Sequence, residues 1–164
     1  MAFNVMLKKK IFDLTIILLV FFLDRFSKSI ILNLSQPVGE LNFPITTFLN
    51  FNLVWNSGIA FGLFSFNQNV YYNIITLIII LVILVIIWIT FKSKGLEKIC
   101  YLMIIGGSFG NLFDRLYYSS VIDFIDISYN NFHWFIFNVA DIFITLGVIV
   151  LIYSEFIKKE AWPK

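Results

Sequence analysis

The sequence predicts an all-α membrane protein of four transmembrane helices with both termini cytoplasmic. Three observations carry that: an excess of apolar residues, four long apolar runs, and lysine clusters at alternate ends of those runs. Of 164 residues, 60% are hydrophobic and 13% charged, with a mean hydropathy of +0.90. A soluble domain sits nearer 45–50% and about 25%. The excess reads as lipid-facing surface, and the chain as a single domain over residues 1–164.

The first span runs from Ile11 to about Leu34, interrupted by Asp13 and, toward its far end, by Asp24, Arg25 and Lys28. The second, Val70 to Phe91, holds no charge over 22 residues, about 33 Å of helix against a hydrocarbon core of roughly 30 Å. The third starts at Ile99 and stays apolar to Phe113, then meets Asp114 and Arg115; the fourth is Val139 to Ile157. The opening "MLKKKIFDLTIILLVFF" has the basic head and apolar middle of a secretory signal. "LDRFSK" follows where a small-x-small cleavage site belongs, so the segment is expected to stay as a helix.

Orientation comes from lysine. Lys8, Lys9 and Lys10 precede the first span; Lys92, Lys94 and Lys98 lie between the second and third; Lys158, Lys159 and Lys164 follow the fourth. Four spans put all of them on one side, which the positive-inside rule makes cytoplasmic. The outer face then carries residues 35–69 and 119–138. "LNFNLVWN" (49–56) alternates greasy and polar positions, a strand pattern. "ISYNNFHWFIF" (127–137) is dense in the aromatics that collect at membrane–water boundaries. Both connections are expected on the bilayer surface.

One cysteine, Cys100, excludes an intramolecular disulfide, and with one histidine, His133, it offers little toward a zinc site of about four ligands. No metal or other cofactor is expected. The net charge of +2 is small, and no nucleic-acid partner is expected.

The carboxylates hold the chemistry. Asp24 lies 14 residues beyond Lys10, Asp114 16 beyond Lys98, and Asp141 17 before Lys158. At 1.5 Å per residue these are depths of roughly 21, 24 and 26 Å, similar for three helices. Ionisable groups at such depth face one another or a water-filled cavity. Plainer readings exist. Asp24 and Lys28 are an i, i+4 helical ion pair; Gly106 and Gly110 form a small-xxx-small packing face; Asn111, Asp114 and Arg115 suit a hydrogen-bonded brace. "NSG" (56–58) is a turn signal, His133 an interfacial anchor, and Cys100 an apolar filler.

Asp141 can cap the fourth helix, but Asn138 is available for that. Two carboxylates close together in a low-dielectric site share one proton. The ionised one can activate water while the protonated one polarises a carbonyl, which hydrolyses a peptide bond. The 119–138 connection returns toward Asp141, and either Asp123 or Asp126 can supply the partner. The rival reading is a small four-helix proton-coupled transporter, which needs an acid near mid-membrane; these acids cluster at one depth.

In order, "DRFSK" (24–28), "NSGIAF" (56–61), "GGSFGNLFDR" (106–115), "VIDF" (121–124) and "FNVAD" (137–141) resemble the lipoprotein signal peptidase (signal peptidase II) family over nearly the whole chain. The resemblance implies a membrane aspartyl peptidase with Asp123 and Asp141 as the catalytic pair. It implies that Asp24, Lys28, Asn56, Gly58, Asn111, Asp114, Arg115 and Asn138 shape the site and contact substrate. It adds a small outer β-sheet between helices 1 and 2 and a short surface helix between helices 3 and 4. The implied partners are diacylglyceryl-prolipoproteins, cut before the lipidated cysteine at the outer side of the bacterial cytoplasmic membrane. Membrane lipid is the other implied partner, and a monomer is expected. Ser27 stands where the family usually has Thr, and Ile59 where a smaller residue is common, which would narrow the pocket.

Overall fold

The structure is a computed structural model and describes residues 2–58, 68–129 and 132–160; the expectation placed on Ile59 lies outside them. Its elements are α1 (Ala2–Leu34), β1 (Asn42–Pro44), β2 (Leu49–Asn56), α2 (Gln68–Lys92), α3 (Gly95–Tyr118), β3 (Val121–Tyr129), β4 (Phe132–Phe137) and α4 (Val139–Glu160). The four helices fall on the four apolar runs. α1 begins at Ala2 rather than Ile11, since lysines prolong a helix readily. Val70–Lys92 and Val139–Ile157 are long and apolar enough to cross a membrane. Leu77, Leu81, Leu84 and Trp88 of α2 stand half exposed.

α3 packs against α1, α2 and α4. Its glycines permit the approach: a Cβ on Gly106 would lie 2.8 Å from the Ile17 carbonyl oxygen, and one on Gly107 2.6 Å from that of Ala140. The small-residue face is therefore a packing face, as the spacing suggests. Ser119, in the left-handed region at φ 56°, ends α3 and turns the chain into β3.

The strands form one antiparallel sheet in the order β1-β2-β3-β4. β2 is the strand that its alternation predicts. The expected short surface helix between α3 and α4 is not there: the described part of that connection is β3 and β4. Val121, Ile122, Phe124, Ile125 and Ile127 are β-branched or aromatic and favour a pleated surface. β3 also pairs along β2, from Leu49↔Ile127 to Asn56↔Val121, and so satisfies backbone groups that an apolar setting would leave costly. Ile122 and Phe124 pack on Ile31 near the end of α1, with Phe51, Leu53 and Val139 around them. That contact sets β3 beside the N-terminus of α4.

Candidate active site

The first turn of α4 is a reciprocal cap. The Asp141 N–H donates to Asn138 Oδ1 at 3.0 Å, and the Asn138 N–H donates to Asp141 Oδ2 at 3.2 Å. Each satisfies a donor that a helix start leaves open. Asn138 thus caps the helix as expected, yet its Nδ2 also donates to Asp123 Oδ1 at 2.6 Å. One residue joins the two carboxylates: the Asn138 side chain holds that of Asp123, and its backbone N–H holds that of Asp141. Asn56 Nδ2 donates to the other Asp123 oxygen at 2.9 Å, and Asn111 Nδ2 donates to Asp141 Oδ1 at 2.8 Å.

β3 gives Asp123 and Asp126 different partners. Three positions apart in a strand, they point to opposite faces. Asp123 turns toward Asn138 and Asp141; Asp126 is buried against His133, whose Nδ1 lies 2.8 Å from Asp126 Oδ2. His133 therefore meets an acid rather than serving only as an interfacial anchor. Burial, with the neighbouring Asp141 charge, pushes the Asp123 carboxyl up to about 6, although the Asn56 and Asn138 donors and Lys28 pull the other way.

Behind the pair lie four ions, of which Asp24, Lys28 and Asp114 are buried and Arg25 is partly exposed. Lys28 Nζ is 2.9 Å from Asp24 Oδ2 and 2.7 Å from Asp114 Oδ2, and it also donates to Asn111 Oδ1 at 3.0 Å. The Asp24–Lys28 pair is as its spacing predicts, and the three helical acids do converge. The expected Asn111–Asp114–Arg115 brace is not formed. Asn111 bonds Lys28 and Asp141, Asp114 pairs with Lys28 and Arg25, and Arg115 points elsewhere. Side chains on one helix face reach across to α1 and α4 in preference to one another. Arg25 is the member that sequence reasoning missed. Adjacent residues on a helix do not face each other, so nothing in "DRFSK" suggested that Arg25 would bind Asp24. The available signal was Asp114, a buried acid lacking an obvious cation.

Gly58 sits at φ +75°, and its N–H donates to Asn56 Oδ1 at 2.7 Å. A Cβ there would be 2.8 Å from Arg115 Nη2. The Arg115 guanidinium also lies 5.3 Å from the Tyr72 ring. Two cavities meet at the pair and share Asn56, Asp123 and Asp141. One, of about 330 Å³, is walled by Ile79, Ile83, Asn111 and Arg115; the other, of about 490 Å³, by Phe135, Phe137 and Leu146. Among the described residues, no group of three His, Cys, Asp or Glu side chains is arranged to hold a metal ion.

Residues 16–157 match the family model described as Signal peptidase (SPase) II. The chain belongs to the signal peptidase II family. It is 48% identical over 149 residues to the lipoprotein signal peptidase of Pelagibacter ubique, covering 91% of this chain and 90% of that one. It is 41% identical over 146 residues to that of Wigglesworthia glossinidia brevipalpis, covering 85% and 91%. Two solved structures, both described as bacterial membrane enzymes, superpose with TM-scores of 0.71 and 0.72 at 28% and 26% identity, the first covering 93% of this chain. As a signal peptidase II, the chain is an aspartic-type peptidase that removes signal peptides from lipoproteins. That function displaces the transporter alternative.

Proposed function

We propose that Asp123 and Asp141 are the catalytic pair of this signal peptidase II and that the whole chain is one membrane unit. The observation that carries it is the shared Asn138: its side chain holds the buried Asp123 carboxylate and its backbone N–H the partly buried Asp141 carboxylate, at the junction of two cavities. With one proton between them, the ionised carboxylate takes a proton from water as the oxygen attacks the scissile carbonyl. The protonated one donates to the carbonyl oxygen, and the collapsing intermediate returns a proton to the leaving amine. Asn56, Asn111 and Asn138 hold the carboxylates in place. Arg115 Nη1 is buried, lacks a hydrogen-bond partner among the described residues and lines the smaller cavity, so it suits a substrate carbonyl.

In this reading all four helices cross the bilayer, the termini are cytoplasmic, and the enzyme acts as a monomer at the outer side of the cytoplasmic membrane. The substrate is a diacylglyceryl-prolipoprotein cut immediately before its lipidated cysteine. The diacylglyceryl group holds the scissile bond at headgroup depth, where the aspartates converge.

Cleavage of a lipidated pre-lipoprotein by Asp→Asn variants tests the pair. Asp123→Asn and Asp141→Asn should each lower turnover by at least about 10³-fold while leaving a folded, membrane-inserted protein. Asp126→Asn, which loses only the His133 contact, should cost about tenfold or less. An active Asp123→Asn beside a dead Asp126→Asn would overturn the assignment.

A further inference from the structure

We infer that Arg25 is a positioning residue for both aspartates, acting through the ring of buried ions that it completes with Asp24, Lys28 and Asp114. The inference rests on reading Asp123 and Asp141 as the catalytic pair. Arg25 Nη2 lies 2.9 Å from Asp24 Oδ2, and Nη1 lies 2.6 Å from Asp114 Oδ1. Lys28 bridges the same two acids from the other side. Cation and anion alternate around the ring, with both acids fully buried and the Arg25 side chain 15% exposed.

The ring reaches the pair through backbone. Asp24 Oδ1 accepts the N–H of Ala140 at 3.0 Å, and Asp114 Oδ2 accepts the N–H of Ile122 at 3.1 Å. Ala140 precedes Asp141, and Ile122 precedes Asp123. Each ring acid therefore fixes the backbone N–H of the residue just before one carboxylate of the pair. The orientation of both acids depends on Arg25, because Lys28 has no donor to spare: its three are taken by Asp24, Asp114 and Asn111. A guanidinium presents its donors as a planar fork and can hold two carboxylates at once. Arg25 is itself held over the Phe113 ring, 4.8 Å from its centre.

The ring also sets charge. The ionic groups around the pair are Asp24, Arg25 and Lys28 from α1 and Asp114 and Arg115 from α3; α2 adds the neutral Tyr72. With one proton on the pair, Asp24, Asp114 and the pair balance Arg25, Lys28 and Arg115. Removing Arg25 leaves an excess negative charge, and the pair then holds its protons to higher pH.

The test measures kcat and KM against pH, with full-length enzyme in proteoliposomes cutting a lipidated pre-lipoprotein. Arg25→Gln should lower kcat by about 10²-fold through misplacement of the pair, leave KM within about twofold, and move the pH optimum up by about half a unit. Arg25→Lys keeps the charge but cannot fork, so it should keep the optimum and still lose kcat. Wild-type kcat and pH profile in Arg25→Gln, or a change in KM alone, overturns the inference. If Arg25→Gln does not fold, Arg25→Lys decides, and wild-type kcat there overturns it. Asp123→Asn and Asp141→Asn run alongside: activity in either sinks the catalytic reading itself, whereas two dead variants beside a wild-type Arg25→Gln sink only the role of Arg25.

Discussion

Asp123 takes amide donors on both oxygens, yet burial and the Asp141 charge still push it up to about 6. Its donors favour the ionised form and its surroundings oppose it. The pair titrates as a unit, and the sign follows from its neighbour. Once Asp141 is ionised, losing the Asp123 proton leaves two adjacent negative charges and no acid. So kcat/KM should fall as pH rises through about 6. Bound substrate expels water from both cavities and raises that proton affinity, so the corresponding limb of kcat should lie at higher pH. A kcat/KM profile that climbs through this region to an alkaline plateau contradicts it. Composition and spacing alone leave Asp123 and Asp126 tied, and only the family resemblance chooses Asp123, because residues 121–129 do not read as a strand from their pattern. Alternation along a strand separates the two acids outright.

The turn after β2 shows how an element places a side chain it does not own. Gly58, at φ +75°, folds back on Asn56 and leaves room for the Arg115 guanidinium from α3. Gly58→Ala should therefore carry both a left-handed backbone strain of about 1–2 kcal/mol and displacement of Arg115. We expect kcat/KM to fall by about tenfold or more. Gly39→Ala is the control: it shares the positive φ, at +77°, but nothing lies within 4 Å of a new Cβ. It should lower the unfolding temperature slightly and leave turnover intact; equal losses in the two variants would reduce the effect to backbone strain. The helices and β2 were legible because their hydrophobic periods are long or strict. β3 and β4 were not, because short apolar runs interrupted by aspartate and asparagine fit several states. Arg25 was hidden for another reason: its partners come from two helices, and adjacency to Asp24 says nothing about facing it.

At the scale of the molecule, the ionic site sits at one end of α1, α3 and α4, while Asp13 of α1 and Lys98 of α3 pair near the other end. Exposed Phe12, Leu19, Phe22 and Phe26 run along α1, so that helix, too, presents an apolar surface outward. Among the described residues, only α2 and α4 are apolar enough to stand as spans on composition alone. In α1 and α3 Asp24, Arg25, Lys28 and Asp114, which break the apolar runs, are turned inward and paired, which is how ionisable groups are tolerated at depth. If those helices cross as well, the three lysine clusters share one face and the aspartates lie toward the opposite one. A fluorescent reporter fused after Lys164 should then be cytoplasmic. A phosphatase reporter inserted at Glu40, on the exposed turn between α1 and β1, should be active outside. An external C-terminus would put the lysines on the wrong side and the peptidase pair facing the cytoplasm, where a substrate anchored in the outer leaflet could not reach it.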